Sequence, residues 1–236
     1  MVYHEYSRTP QAWVCASAIQ RASRDGAAAG LWRHRRESAG VSFISHAARE
    51  INCKIVYCGP GLSGKTANLR WIFDQTSGKT SGKLTALATE TDPTVFFDYL
   101  VLDLGSIQGF KTRFHLYTVP GRVCFDASRR LILRGADGVV LVADSQAGRQ
   151  DANLEALEDL MGNLKEQKLE LIPYVLQLNK RDLPNVLPVE TMKRELVRKD
   201  EPVIEAIAYR GVGVFEALKT CGRMVLSGLK KAQQAS

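Results

Sequence analysis

Short apolar segments rich in β-branched and aromatic residues alternate with helical patterns along the chain from Ile51 onward. This alternation is typical of a parallel sheet whose strands are joined by helices. We therefore predict an α/β fold with a central, mostly parallel sheet flanked by helices. The predicted strands span residues 54–58, 95–102, 110–119, 138–144, 174–179 and 203–206.

Two of the helical segments carry apolar residues at spacings of three or four, the period of one helix face. We interpret both stripes as faces that pack on the core, and a partner-binding surface is the alternative. The stripes consist of Leu154, Leu157, Leu160, Met161 and Leu164 in one segment, and Leu218, Cys221, Val225 and Leu229 in the other.

Residues 1–40 differ in composition from the rest of the chain: they are rich in alanine and arginine and contain no lysine. No continuous apolar segment follows a basic start, so this region is not predicted to be a secretory signal. We interpret it as a basic, disordered N-terminal extension. The alternative is a start-site artefact, since the domain-like pattern begins at Val41 and bacteria can initiate at a valine codon. The domain itself is predicted to span residues 41–236.

Composition limits the class of protein. A chain of 236 residues with 45% hydrophobic and 24% charged residues can bury one core, and no apolar stretch has the roughly 20 residues of a membrane span. Five cysteines without metal-ligand spacing favour reduced thiols in a cytosolic protein. The net charge of +7 comes without a basic cluster or an aromatic-basic motif, so we predict no direct binding of nucleic acid.

A phosphate-binding motif follows the strand predicted at 54–58 and precedes a helical segment. The residues Gly59, Pro60, Gly61, Leu62, Ser63, Gly64, Lys65 and Thr66 match G-x-x-x-x-G-K-[ST] at every fixed position. Backbone N–H groups of such a loop converge on phosphate oxygens at a helix N-terminus. Lys65 is predicted to bind the β- and γ-phosphates and Thr66 to bind Mg²⁺.

A second motif predicts the base. Asn179, Lys180 and Asp182 form an N-K-x-D element after the strand at 174–179. An ionised aspartate only accepts hydrogen bonds, and guanine offers N1–H and an exocyclic amine as paired donors, which adenine lacks. Lys180 is expected to lie along the base and support the P-loop, and Asn179 to tie neighbouring loops together. Ala208 is the candidate whose N–H meets guanine O6. These elements favour GTP over ATP, although Asp182 as a solvated loop acid is the alternative.

Two further segments stand where Ras-like GTPases have their switches. The threonine-rich segment 85–94 is the first, and Thr94 is predicted to bind Mg²⁺ when the γ-phosphate is present. In the second, Gly121 is predicted to donate its N–H to the γ-phosphate. Thr118 occupies the position of the acid in the usual D-x-x-G motif.

These motifs closely resemble the bacterial MglA family of Ras-like small GTPases, over residues 41–231. The similarity is carried by residues 42–44, 53–66, 88–92, 96–98, 112–121, 142–146 and 179–188. The resemblance implies a cytoplasmic GTP/GDP switch, recruited to a cell pole, that controls polarity, gliding and type IV pilus motility. It also implies a roadblock-domain partner of the MglB kind that accelerates hydrolysis. Threonine is the family residue at position 118.

Two positions depart from the family pattern. Pro93 replaces an arginine finger, and Arg122 replaces the glutamine that orients the attacking water. A guanidinium only donates hydrogen bonds, so it cannot accept from that water. Arg122, beside Gly121, remains the catalytic candidate, with a solvated arginine as the alternative. We expect slow hydrolysis. A non-hydrolysing GTP-binding scaffold is the second interpretation, and a P-loop ATPase or kinase, which requires Asp182 to be irrelevant, is the third.

Overall fold

The structure is a computed structural model, and it describes residues 43–45, 48–76, 85–86, 98–107, 109–119 and 126–234. The N-terminal extension predicted at 1–40 lies outside these residues, as does Val41. Most of the first switch also lies outside them, because only Thr85–Ala86 of segment 85–94 is described.

Eight strands form one sheet in the described part of the chain. They are β1 (Phe43–Ser45), β2 (Glu50–Cys58), β3 (Thr85–Ala86), β4 (Asp98–Ile107), β5 (Phe110–Thr118), β6 (Gly138–Asp144), β7 (Tyr174–Asn179) and β8 (Val203–Glu205). The spatial order is β3-β4-β5-β2-β6-β7-β8, with β1 paired to β2. All neighbours from β5 to β8 run parallel, whereas β4 pairs with β3 and β5 antiparallel, and β1 with β2 antiparallel. The predicted α/β fold with a mostly parallel sheet is confirmed.

Five α-helices cover the two faces of this sheet in the described residues. They are α1 (Lys65–Thr76), α2 (Asp126–Leu133), α3 (Gln150–Glu166), α4 (Val189–Leu196) and α5 (Val214–Gln234). Helices α1 and α5 share one buried apolar cluster with the β2 residues Cys53, Ile55 and Tyr57. The other three helices share a second cluster with Val56 and Cys58. Strand β2 therefore presents alternate side chains to both cores, as the two-residue period of a strand requires.

The helical stripes lie in these cores. Leu157, Leu160 and Leu164 of α3 are buried, and so is the whole stripe Leu218, Cys221, Val225 and Leu229 of α5. Leu154 and Met161 are half-buried against the second cluster. The prediction that both stripes face the core is confirmed. Burial also raises the pKa of Cys58 and of Cys221 to about 12, so both remain protonated thiols at neutral pH.

The predicted and the observed strand limits agree best where a strand is buried on both faces. Strands β6 and β7 have the predicted limits, and every residue in them is buried. Strand β4 differs, because it runs from Asp98 to Ile107 as one arm of a hairpin with β5, and residues 95–97 lie outside the described chain. No helix among the described residues is long and apolar enough to cross a bilayer.

Candidate functional site

The P-loop connects β2 to α1 and lies directly beside the N-K-x-D element. Gly64 has a φ of 103°, and a Cβ built there would lie 2.1 Å from the Asn179 side-chain nitrogen. A side chain at this position would therefore collide with the base-binding loop. The glycine of the motif allows both the backbone angle and this close approach.

Lys65 is folded into the P-loop. Its Nζ donates to the backbone oxygens of Gly59 at 2.8 Å and Pro60 at 2.7 Å, and the residue is buried. Burial lowers the pKa of Lys65 from 10.5 to about 8, and the nearby charge of Asp98 opposes this change. Two neutral carbonyls compensate a buried ammonium only in part. The ammonium is thus held where an anionic ligand would be a better partner.

Asn179 joins three loops. Its side-chain nitrogen donates to the Ser63 carbonyl of the P-loop at 2.7 Å. Its Oδ1 accepts from the backbone N–H of Ala208 at 2.8 Å. All three residues are buried. The expectation that Asn179 ties neighbouring loops together is confirmed.

The contacts of Lys180 differ from the prediction that it supports the P-loop. Its Nζ donates to the Asp144 carboxylate at 2.6 Å and to the Gln146 side chain at 3.2 Å. Asp144 is almost fully buried at the end of β6, and a carboxylate is a stronger acceptor than a carbonyl. The guanidinium of Arg149 contacts the P-loop instead, donating to the Gly61 carbonyl at 2.7 Å with its Nε 3.6 Å from Asp144.

Asp182 is exposed and lines a cleft of about 250 Å³. Gly64, Ala67, Asn179, Lys180, Asp182, Leu183, Ala208 and Tyr209 line this cleft. The Tyr209 hydroxyl donates to Asp182 Oδ2 at 3.0 Å. The structure therefore brings the predicted base-binding residues Asn179, Lys180, Asp182 and Ala208 together around one cavity beside the P-loop.

Thr118 lies at the end of β5, opposite Asp98 at the start of β4. Both residues are buried, and the Thr118 hydroxyl donates to Asp98 Oδ2 at 3.1 Å. A carboxylate is therefore present beside the position where the sequence lacks the acid of D-x-x-G. The negative charge of Asp98 also acts on Lys65 of the P-loop, where it opposes the lowering of the lysine pKa by burial.

Several predicted residues lie outside the described chain: Pro93, Thr94, Gly121 and Arg122. Thr66 is described, in the first turn of α1 next to Lys65. Four residues at the site were not predicted from the sequence: Asp98, Asp144, Arg149 and Tyr209. Asp144 had a usable signal, because an acid that ends an apolar parallel strand lies at the sheet edge where ligands bind. The other three residues are brought to the site only by the tertiary fold, so no local sequence pattern indicates them.

No family model matches the chain. It is 60% identical over 193 residues to the mutual gliding-motility protein MglA of Myxococcus xanthus (strain DK1622), covering 81% of this chain and 99% of that protein. This similarity extends over most of the chain, and it agrees with the GTPase motifs found in the P-loop and the base-binding cleft. The chain belongs to the MglA family of Ras-like small GTPases, which are nucleotide-dependent switches and bind guanine nucleotides.

Proposed function

We propose that this protein is a GTP/GDP switch that regulates bacterial cell polarity and motility, including gliding and type IV pili, and that it hydrolyses GTP slowly. The observation that carries the proposal is the identity of 60% with a gliding-motility protein of the same family. The cleft formed by the P-loop and the Asp182 loop supports the nucleotide part of it.

The P-loop residues 59–66 bind the phosphates in this proposal. Lys65 exchanges its contacts to two P-loop carbonyls for phosphate oxygens, which are charged acceptors and bind an ammonium more strongly. Asp182 accepts from the guanine N1–H and amino group. The Ala208 N–H already donates to Asn179 Oδ1. In the complex it also donates to guanine O6, so the two acceptors share one N–H. Lys180 borders the base.

Mg²⁺ accompanies the nucleotide. The chain offers it oxygen atoms, the ligands that Mg²⁺ prefers, in the Thr66 hydroxyl and in Thr94 of the first switch. The buried Asp98 carboxylate adds a negative charge that acts on Lys65, and such a charge suits a cation held between protein and phosphate. The ion would neutralise charge that develops on the phosphates during hydrolysis.

The hydrolysis rate separates the two leading functions. Gly121 would bind the γ-phosphate, and Arg122 is the remaining catalytic candidate, as a cation that cannot orient water by accepting from it. The alternative of a non-hydrolysing scaffold rests on Pro93 and Arg122. Single-turnover phosphate release from the purified GTP complex distinguishes them: a measurable slow rate supports the switch, and no release over many hours supports the scaffold.

The proposed regulator is a roadblock-domain homodimer of the MglB kind that binds the GTP form in the cytoplasm, where the complex is recruited to a cell pole. A partner shifts a switch only by its different affinity for the two states. Pull-down with the protein loaded with GDP or with a non-hydrolysable GTP analogue tests this. Equal recovery from both states would contradict regulation at the switches.

The nucleotide itself is tested first. Protein purified without added nucleotide is denatured by heat, and the released compound is identified by chromatography. GDP or GTP supports the proposal, whereas ADP or ATP would show that the N-K-x-D element does not select the base.

A further inference from the structure

The exposed Asp182 carboxylate has one fixed partner in the structure. The Tyr209 hydroxyl donates to its Oδ2 at 3.0 Å. No other hydrogen bond reaches this carboxylate from the residues that the structure describes. The two residues come from different loops, one after β7 and one after β8, and both line the same cleft. Tyr209 is thus the residue that limits how the Asp182 carboxylate turns.

This restraint matters because Asp182 is proposed to bind two donors at once. The terminal torsion of an aspartate is broad, so an exposed carboxylate samples many orientations. Two parallel hydrogen bonds to a planar base need one orientation. A carboxylate has about four acceptor sites, so a phenol that occupies one of them leaves sites on both oxygens for the base.

The turn that carries Tyr209 is held on two sides. Ala208 is fixed by its hydrogen bond to Asn179. Gly211 ends the short 3-10 helix Ala208–Arg210 at a φ of 79°, and a Cβ there would lie 2.0 Å from Trp71 of α1. The Arg210 guanidinium lies 5.2 Å from the centre of the Tyr209 ring. Although Tyr209 is 59% exposed, the turn that carries it is anchored to the P-loop helix and to the base loop.

We propose that Tyr209 is a specificity-positioning residue for the nucleotide base: its hydroxyl orients Asp182 toward the paired donors of guanine, and its ring forms one wall of the base cleft. The proposal rests on the assignment of Asp182 to the base made above.

The test compares GDP with inosine diphosphate, which lacks the exocyclic amine and offers only N1–H. Dissociation constants are measured by competition against a fluorescent guanine nucleotide for the full-length protein and for Tyr209→Phe, Tyr209→Ala and Val212→Ala. Val212 is exposed on the same loop and does not line the cleft, so its variant is the control. Asp182→Ala is measured in parallel.

Tyr209→Phe keeps the ring and should weaken GDP binding by about three- to tenfold, the effect of one hydrogen bond to an exposed charged group. The affinity for inosine diphosphate should fall less than the affinity for GDP, so the preference for GDP over inosine diphosphate should fall at least about twofold. Tyr209→Ala should lose additional affinity for both nucleotides because the wall of the cleft is also removed. Melting temperatures without nucleotide should remain close to that of the parent protein.

Tighter GDP binding by Tyr209→Phe would show that the hydroxyl competes with the base and would overturn the proposal. An unchanged ratio of the two dissociation constants, with GDP affinity lost in Asp182→Ala, would overturn the role of Tyr209 while leaving the base site intact. Unchanged GDP affinity in Asp182→Ala would refute the base site and this proposal together.

Discussion

The Thr118 hydroxyl donates to Asp98 Oδ2 at 3.1 Å and accepts from the backbone N–H of Asp98 at 2.7 Å. The two residues lie on adjacent antiparallel strands, and both are buried. A buried carboxylate is costly without compensating partners, and one hydroxyl is a modest compensation. Since the charge of Asp98 also acts on Lys65 of the P-loop, we infer that it contributes to holding Mg²⁺ with the phosphates.

Asp98→Ala should therefore raise the Mg²⁺ concentration needed for half-maximal retention of GDP, by roughly fivefold or more. The measurement is release of a fluorescent GDP during titration with a chelator. Thr118→Val is the matched control, because it removes the hydroxyl and keeps the carboxylate, and it should give a smaller change. The same Mg²⁺ dependence in Asp98→Ala and the parent protein would contradict a role near the metal.

The lowered pKa of Lys65 predicts a pH dependence of GDP binding. The free protein has a pKa of about 8 at this residue, and phosphate contacts raise it in the complex. Binding above pH 8 therefore takes up a proton, so GDP affinity should fall as pH rises from about 8, at most about tenfold per pH unit. Isothermal titration between pH 7.5 and 9.5 measures this.

The same group affects stability with the opposite sign. Without nucleotide, the folded pKa lies below the ordinary value of 10.5, so the unfolded chain binds more protons between about pH 8 and 10.5. Lys65 therefore adds stability to the nucleotide-free protein as pH rises through that range.

Lys65→Arg, whose guanidinium does not titrate in that pH range, should bind GDP weakly and with a flat pH profile. Lys65→Ala should abolish tight binding, and retained nanomolar affinity would refute the P-loop assignment.

Guanine selectivity should depend on Asp182. Its side chain is proposed to make two hydrogen bonds from a charged acceptor, each contributing about 1.5–3 kcal/mol. Asp182→Ala should weaken GDP binding by at least about 100-fold in a fluorescence titration. Glu205→Ala is the control, since Glu205 is an exposed acid paired with Arg181 that does not line the cleft. If both variants bind like the parent protein, the base assignment is wrong.

Arg149 is predicted to slow the release of nucleotide. It joins the Gly61 carbonyl of the P-loop to the buried Asp144. Arg149→Gln should leave the P-loop less restrained and increase GDP dissociation by about three- to tenfold, measured by stopped-flow exchange. Arg130→Gln on α2, which removes an exposed arginine paired with Glu166, should have no effect. Equal dissociation rates in both variants would mean that the contact does not hold the P-loop.

Local sequence patterns were sufficient for the parts of this fold that depend on local chemistry. Strands β6 and β7 are mostly apolar and buried on both faces, so their limits were predictable. The P-loop and the N-K-x-D element are short motifs whose residues act close to their own positions in the chain. The limits of strand β4 were harder to predict, since Leu104, Gly105 and Ser106 are exposed and extend as a hairpin arm without an apolar pattern.

The connections between motifs could not be predicted in the same way. Arg149 meets Gly61 across 88 residues of sequence, and nothing near either residue indicates the contact. Asp98 meets Thr118 only because the register of β4 against β5 places them opposite each other, and that register depends on the hairpin. The contact of Tyr209 could not be predicted for the same reason, since its partner Asp182 comes from a different loop.

The hydrolysis rate is predicted from Pro93 and Arg122, two sequence positions outside the described residues. An arginine finger contributes about 10³ to 10⁵ in kcat, and Ras-like sites without one turn over at roughly 10⁻⁴ per second. If the family's partner acts by placing the GTPase's own arginine and glutamine, it cannot restore groups that are absent. This protein should then hydrolyse GTP slowly even with its partner.

Pro93→Arg combined with Arg122→Gln should raise the partner-stimulated rate more than about tenfold and leave GDP affinity nearly unchanged, because it supplies both a cation and a water-orienting amide. Proline also fixes φ and biases Asp92 toward extended conformations, so Pro93→Ala is the control that frees the loop without adding charge. Single-turnover phosphate release is measured for all three proteins with and without partner. Rapid stimulated hydrolysis by the unmodified protein that is lost in Arg122→Ala would show that Arg122 is the catalytic cation, and the slow switch would be refuted.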